Sequence, residues 1–432
     1  MTVVSDYTAL YYHFPGYTWW GGALPGRPVF LTYSFETTAQ SYFSTEFSAE
    51  FISSFKPFTA SDQQLAREAL LKWANASGIQ FFEVPAGHGD IAFGKYNFDF
   101  HPHAAGARGS AYFPELSIDP NNPYEFLRGG DVQLNWKSPT ELNVLMHEIG
   151  HALGLKHPFE DDPILASHLD NTSNTLMSYT GPEQSTLGPL DIQAIQYLYG
   201  PPSADGTQVA SWSWDSNTYT LTQVGHDGGD TIRGMRTNDV IVGGNWNDLI
   251  LGYSGDDRLT GRGGNDTVVG GNGNDTVVFS GARGDYHVDA MGGGTFKVTD
   301  RRSGVPDGAD TVSSVETFSF LDGNFTPANV LGDPTRITSN SGGDSAVLFL
   351  VENRTFVTTV TAVDWDSASP TYAIVGGADA SKFQINASTG ALSLIEAPDF
   401  ESRKDSDGNN SYVVQVRAAS GGTPILKPSR LT

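Results

Sequence analysis

The spacing of hydrophobic and polar positions changes along the chain, and each change marks a different kind of element. Between residues 25 and 202 strand-like and helix-like spacings alternate. Val29-Phe30-Leu31-Thr32-Tyr33-Ser34-Phe35 predicts a strand. Ser61-Asp62-Gln63-Gln64 has the form of a capping box, and Leu65, Ala69, Leu70 and Trp73 follow at helical spacing. Ile79 to Val84 and Ile91 to Phe93 predict further short strands. A second helix is expected from Ser138, with Pro139 at its first position and Glu141 closing a capping box. Leu142, Leu145, Met146, Ile149 and Leu153 give it an apolar face, and Gly154 ends it. A third runs from near Pro189 to Tyr199, where Gly200-Pro201-Pro202 closes both helix and domain. This order predicts an α/β domain over 25–202. Residues 1–24 are aromatic and irregular (Tyr11, Tyr12, Phe14, Trp19, Trp20) and read either as an N-terminal prosegment or as a strap across that domain.

After a polar connector the period becomes nine. Units begin at Gly225, Gly234, Gly243, Gly252, Gly261 and Gly270. Their sixth position is always aspartate (Asp230, Asp239, Asp248, Asp257, Asp266, Asp275). Their eighth is always apolar (Ile232, Ile241, Ile250, Leu259, Val268, Val277). A flexible glycine-rich linker would not keep both features in phase. Each unit therefore predicts a turn plus a short strand, with the apolar residue pointing inward and the aspartate supplying oxygen to a hard cation. Unit two, Gly234-Met235-Arg236-Thr237-Asn238-Asp239, lacks most turn glycines, so Asp239 is the weakest ligand expected. The repeats span 225–278 within an all-β region over 203–334, and a separate β-rich segment fills 335–432.

Charge sharpens this picture. The 432 residues carry 25 Lys plus Arg against 49 Asp plus Glu, a formal net charge of −24. Nucleic acid and anionic membranes are poor partners for such a surface. The regular spacing of many acids assigns that subset to calcium. The chain has no cysteine, so bound metal rather than disulfides must staple it outside the cell. The first thirty residues show no basic-then-apolar leader, and no apolar run is long enough to span a membrane.

The central chemistry lies in His147-Glu148-Ile149-Gly150-His151-Ala152-Leu153-Gly154-Leu155-Lys156-His157. His147 and His151 lie one turn apart on one helix face, so both can grip one zinc ion. Gly154 lets the chain turn so that His157 can become a third ligand, and three protein ligands leave a position open, as at catalytic zinc sites. Glu148 can reach a water at that position without being a ligand itself. His88, His101 and His103 do not share this spacing and read as surface residues.

The extended motif resembles the metzincin metalloproteases, whose second mark is a methionine turn. Leu176-Met177-Ser178-Tyr179 resembles that turn, with Met177 as its structural residue. His157-Pro158, the Met177-Ser178-Tyr179 run and Leu190-Asp191-Ile192-Gln193-Ala194-Ile195-Gln196-Tyr197-Leu198-Tyr199-Gly200 narrow the resemblance to serralysins. That resemblance implies an endopeptidase with one catalytic zinc. Glu148 would be general base, and Tyr179 both a zinc ligand that can swing away and a stabiliser of the oxyanion. Asp191 reads as a helix-end acid. Gly109-Ser110-Ala111-Tyr112-Phe113 resembles the family's substrate-pairing edge strand, so Ser110, Ala111 and Tyr112 are expected to bind substrate. The nonapeptides resemble RTX repeats, which wind as a parallel β-roll with several calcium ions between turns. Residues 306–325 are similar to the sheet that follows the roll in serralysins.

The last segment departs from that family. Val351-Glu352-Asn353, Ala362-Val363-Asp364-Trp365-Asp366, Thr389-Gly390-Ala391-Leu392 and Pro398-Asp399-Phe400-Glu401 resemble, in order, the motifs of a cadherin-type β-sandwich. This implies Glu352, Asp364, Asp366, Asp399 and Glu401 as calcium ligands. The ending Lys427-Pro428-Ser429-Arg430-Leu431-Thr432 does not match the apolar serralysin tail, so either the chain continues or export works differently. The expectation is a monomeric, secreted zinc endopeptidase acting on proteins or peptides, exported by the type I route. The alternative is a calcium-dependent adhesion protein, associated with a cell surface or surface layer, with a narrow processing protease.

Overall fold

The computed structural model describes residues 1–13, 17–20, 25–40, 43, 46–116, 126–304, 307–331, 336–340, 345–363, 369–419 and 429–431. It divides into two compact units, Met1–Val278 with Val312–Glu316, and Phe279–Thr311 with Thr317–Thr432. The first holds the α/β domain and the nonapeptide coils. Among the described residues no helix is long and apolar enough to cross a membrane.

The α/β domain runs β1 (Val3–Val4), β2 (Val29–Phe35), α1 (Ala49–Ser53), α2 (Ala60–Ala76), β3 (Ile79–Glu83), β4 (Ile91–Tyr96), β5 (Gly109–Ala111), β6 (Glu115–Leu116), β7 (Phe126–Arg128), β8 (Val132–Asn135), α3 (Leu142–Ala152), β9 (Ile164–Leu165) and α4 (Pro189–Tyr199). Five strands form one sheet in the order β3-β2-β4-β8-β5. The first four are parallel, and β5 pairs antiparallel with β8 at the edge. Helices α2 and α3 share one core with this sheet, including Leu31, Leu70, Trp73, Phe93, Leu145, Ile149 and Met177. The Trp73 indole donates to the Met146 carbonyl at 3.0 Å, so a polar tip is satisfied inside that core.

Two helix starts differ from expectation. Helix α2 begins two residues earlier, because Thr59 and Asp62 close the capping box. Helix α3 begins at Leu142 and not near Ser138. The Ser138 N–H is already bonded to the Asn135 carbonyl (3.0 Å), and the Glu141 carboxylate pairs with Arg108, so both partners of the Glu141-to-Ser138 bond of the expected box are taken. His101 is also not a surface residue. It packs edge-on against Phe51 and accepts the His103 and Ala104 N–H groups, and burial pushes its pKa down to about 4.

The described residues before 25 cross this domain as a strap. Strand β1 pairs parallel with β9, and Tyr11 bridges Leu155. Ala9, Leu10 and Trp19 are buried in the main core, and the Trp19 indole donates to the Ala152 carbonyl at 3.0 Å.

Beyond α4 a hairpin of β10 (Ser211–Asp215) and β11 (Thr220–Val224) leads into the coils. Strands β12 (Thr231–Arg233), β14 (Leu249–Ser254) and β16 (Thr267–Asn272) stack in parallel on one side. Strands β13 (Asp239–Val242), β15 (Arg258–Thr260) and β17 (Thr276–Val278) continue β11 on the other. Partners are 18 residues apart, as Asp230 and Asp248 are, so two nonapeptides make one turn of a parallel β-roll. All six eighth-position residues are buried between the two sheets, as the period predicts.

In the second unit Tyr286–Gly292 and Thr295–Asp300 form an antiparallel hairpin. Further on, the strands Phe383–Ile385, Ala391–Leu394 and Phe356–Thr359 make one sheet, and Thr371–Gly376 pairs with Val414–Ala419 in another. Val360, Tyr372, Leu392, Leu394, Val414 and Val416 fill the space between them, which is the core of a β-sandwich.

Candidate metal centre

Helix α3 delivers His147 and His151 one turn apart, and the turn at Gly154 (φ 98°) returns the chain so that His157 meets them. The three histidines converge within metal-binding distance. The His157 Nε2 lies 3.1 Å from that of His147 and 3.2 Å from that of His151. The opposite nitrogens of His147 and His151 are tied down by carbonyls, and that of His157 faces a carboxylate without hydrogen-bond geometry. His147 Nδ1 lies 2.9 Å from the Leu176 carbonyl, His151 Nδ1 is 2.7 Å from the Leu155 carbonyl, and His157 Nδ1 is 2.8 Å from the Glu160 carboxylate. Donation on that side leaves the Nε2 lone pairs facing one another. Lone pairs cannot bond to each other, so the cradle calls for a cation. Tetrahedral zinc with bonds of about 2.0 Å places its ligands about 3.3 Å apart, and the nitrogens fit that spacing. Burial pushes His147 down to about 4 and His151 well below the ordinary imidazole range, which keeps both neutral as ligands must be.

Glu148 lies beside this cradle, buried, with its carboxyl pushed up to about 8 by burial. A cation at the nitrogens would draw it back toward the ionised form. A Cβ on Gly109 of the edge strand would stand 2.6 Å from Glu148 Oε1, so only glycine lets β5 pass so close. The Tyr179 hydroxyl sits 2.7 Å from His157 Nε2 on an exposed ring. Met177 is fully buried, and a Cβ on Gly150 would fall 2.7 Å from its sulfur. The HExGH glycine therefore lets the methionine turn pack directly beneath the helix.

Several contributors were not visible as functional residues. Asp191 is indeed a helix-end acid, accepting the Gly188 N–H at 2.8 Å. It also accepts the Leu176 N–H (2.7 Å) and the Thr175 hydroxyl (2.6 Å). It thereby anchors both sides of the turn residue whose carbonyl meets His147: Leu176 through its N–H, and the next peptide through Thr175, whose hydroxyl oxygen accepts the Met177 N–H. Glu160, three residues past His157, had only that proximity as a signal. On the edge strand the expectation for Ser110 and Tyr112 needs correction. The Arg108 carbonyl and the Tyr112 N–H both bond to β8, so by antiparallel alternation the main chain of 108, 110 and 112 faces inward. Gly109, Ala111 and Phe113 present theirs to the side of β5 that has no partner strand among the described residues. The Tyr112 ring packs against Phe43, and its hydroxyl bonds to Glu46.

The aspartates form a second, different arrangement. Asp248 accepts the Asp230 N–H at 2.7 Å, Asp257 that of Asp239 at 2.8 Å, Asp266 that of Asp248 at 2.8 Å and Asp275 that of Asp257 at 2.9 Å. Glu316 accepts the Asp275 N–H at 2.8 Å and so completes the ladder beyond the last repeat. Asp239 Oδ1, Asp257 Oδ2 and Asp275 Oδ2 are buried with no hydrogen-bond partner. Burial and then neighbouring carboxylates push Asp257 up to about 9, and burial pushes Asp275 to about 6. Gly255, Gly264 and Gly273, at the fourth position of units four to six, have φ of 125°, 123° and 149°. Thr237 and Trp246 replace that glycine in units two and three and do not adopt this conformation.

In the sandwich, Glu352, Asp399 and Glu401 bring their carboxylates within metal-binding distance, all three exposed. Asp364 and Asp366 lie outside the described residues. A groove of 760 Å³ lies at this cluster, lined also by Val347, Phe349, Leu394 and Tyr412.

Comparison with known proteins agrees with this division. Residues 56–200 match the matrixin peptidase family, 224–245 and 246–277 the RTX calcium-binding nonapeptide repeat, and 349–429 the cadherin domain. The chain is 30% identical over 242 residues to Serralysin G of Dickeya chrysanthemi, covering 48% of this chain and 47% of that protein. It is 31% identical over 247 residues to Serralysin B of the same organism, covering 48% and 47%. It is 28% identical over 215 residues to Metallopeptidase AprA of Pseudomonas marginalis, covering 44% and 43%. The chain spans about half the length of these relatives. It thus carries a matrixin-type metallopeptidase domain of serralysin kinship, RTX repeats and a cadherin domain.

Proposed function

We propose that this chain is an extracellular, zinc-dependent endopeptidase whose fold is stabilised by calcium. The observation that carries the reading is the convergence of three Nε2 atoms, with His147 and His151 Nδ1 held by carbonyls, beside a buried glutamate and a strand edge unpaired among the described residues. His147, His151 and His157 would hold the zinc, with Tyr179 as a fourth, detachable partner. When bound, zinc supplies Lewis acidity toward a water and a peptide carbonyl.

The chain's own groups do the rest. Gly109, Ala111 and Phe113 align an extended substrate by main-chain pairing along β5. Glu148 takes the proton of the attacking water and returns it to the leaving amine. The Tyr179 hydroxyl lies where it can donate to the developing oxyanion. Asp230, Asp248, Asp257, Asp266 and Asp275 bind calcium in the roll, with Asp239 the weakest member because Thr237 replaces its turn glycine. The missing cysteines and the repeats favour a monomer exported by the type I route.

The test is hydrolysis of a generic unfolded protein with zinc and calcium present, beside a Glu148→Ala control. Cleavage that disappears in the control and with a zinc chelator supports the reading. Folded, zinc-loaded chain that cleaves nothing would move weight to calcium-dependent surface binding. That second reading has its own support in the cadherin match and in the Glu352, Asp399 and Glu401 cluster beside an apolar groove.

A further inference from the structure

The edge strand carries more than a hydrogen-bonding edge. Side chains alternate along a strand, so Gly109, Ala111 and Phe113 share the face turned toward α3. At one end Gly109 abuts Glu148. At the other the Phe113 ring lies 5.5 Å from the His151 ring. Two rings of the strap close around it. Tyr12 meets Phe113 edge-on at 5.4 Å, Tyr17 meets it edge-on at 6.0 Å, and the tyrosines are 5.0 Å apart. All three are half-buried, in contrast to the buried Tyr11 and Trp19 of the same strap.

The rim of this patch is acidic. Glu160, Asp161 and Asp162 are exposed in the loop after His157. The Tyr12 hydroxyl donates to the Asp161 carboxylate, and burial and then this carboxylate push the hydroxyl up to about 12. The neighbouring cation, Lys156, is committed elsewhere. Its buried ammonium donates to the carbonyls of Glu160 and Pro163. Aromatic faces with an acidic rim suit a guanidinium or ammonium group.

We infer that Tyr12, Tyr17 and Phe113, rimmed by Asp161, form a subsite for an Arg or Lys side chain of the substrate, on the His151 side of the reacting centre. This rests on the peptidase reading. A peptide paired with β5 at Phe113 directs alternate side chains over α3, and one of them falls on the tyrosines. The subsite thus selects a basic residue at one fixed position on one side of the scissile bond.

The experiment digests a mixed peptide library with the zinc- and calcium-loaded chain and reads the residues around each cut. Arg or Lys enriched at a single position supports the subsite. Matched peptides with Arg or Ala there then give a ratio of kcat/KM. Tyr12→Ala and Asp161→Asn should each lower that ratio roughly tenfold, the worth of one partly desolvated cation–π or ionic contact. Asp161 has φ 50°, a conformation asparagine tolerates, so its variant retains the loop. Binding of the Arg peptide to an inactive Glu148→Gln chain should weaken in parallel. Cutting with no basic preference, or a ratio unmoved by both variants, overturns the subsite and leaves the peptidase standing. A chain that cuts nothing overturns both.

Discussion

The two metal-binding regions of the first unit are built on opposite plans. In the histidine cradle the protein brings the ligands together before any ion arrives. Carbonyls of Leu176 and Leu155 hold the His147 and His151 rings, the Glu160 carboxylate lies beside His157 Nδ1, and burial keeps His147 and His151 neutral. What crowds there is neutral lone pairs and not like charges. In the roll the ligands are like charges stacked at close quarters, with buried carboxylate oxygens lacking partners. There the ion completes the structure; in the cradle it only completes the chemistry. The difference follows from ligand type. Imidazole is neutral when it binds, so a preformed site costs little, whereas carboxylates must be charged to bind and cannot be assembled cheaply without the cation.

Selective chelation should separate the two plans with the largest effect. Removing calcium should unfold or loosen the roll, because each site held at a hundredfold over its Kd contributes about 2.7 kcal/mol and several are lost together. Hydrogen exchange should rise across 225–278. Removing zinc alone should abolish hydrolysis and leave exchange there unchanged. A roll that keeps full protection without calcium would break the comparison.

Glu148→Gln comes next. The cradle should stay folded and zinc-loaded, while kcat falls roughly 10²–10⁴-fold, the usual range for a lost general base. Turnover at constant zinc content, measured by metal analysis, checks this. A residual rate near wild type would remove Glu148 from the mechanism.

How far these regions could be read in advance follows the same division. The histidine cluster was legible because His147, His151 and His157 sit at spacings that one helix and one turn convert directly into geometry. The roll was legible because its period repeats the same local chemistry. The failures were all non-local. Glu141 looked like a capping residue, but Arg108, distant in sequence, takes its carboxylate. His101 looked exposed in a glycine-rich stretch, yet Phe51 and Phe98 enclose it. Glu316 lies outside any repeat and still fills the next rung of the ladder. Asp191 showed its helix-end role locally, and its grip on the methionine turn only once that turn was folded against it.

The calcium-free roll should also respond to pH in a direction of its own. Asp257 and Asp275 are pushed up to about 9 and about 6, above the ordinary carboxylate value near 3.9. Between those limits the unfolded chain releases protons that the folded roll retains. Stability is therefore greatest in acid and falls as pH rises through about 6 and on toward 9. Asp257→Asn needs no proton, and its amide oxygen can still accept the Asp239 N–H. Without calcium at pH 7 the variant should equal or exceed wild type in urea unfolding. With calcium it should be weaker by about 1–3 kcal/mol, as for a lost charged contact. The same sign in both conditions would contradict the claim that the ladder is held together by its ions.

The smallest effect tests whether the cradle is preformed. Asp191 links the methionine turn to His147 through Leu176, whose N–H it accepts and whose carbonyl meets the His147 ring. Asparagine at 191 can turn its oxygen to the Leu176 and Gly188 N–H groups and its amide to Thr175 Oγ1, which becomes an acceptor. It also removes a carboxyl that burial already pushes up to about 6. Asp191→Asn should therefore cost less than about 1 kcal/mol. Asp191→Ala leaves two buried N–H groups without a partner and frees Thr175 and Leu176, and with them the Leu176 carbonyl, to shift. His147 then loses its orientation, and zinc affinity should fall roughly 10–100-fold, as for other outer contacts of a metal ligand. Competition with a zinc-sensitive dye measures this without reference to turnover. Equal zinc affinity in the Ala and Asn variants would mean that the ion, and not the protein, arranges the histidines, and the contrast with the roll would disappear.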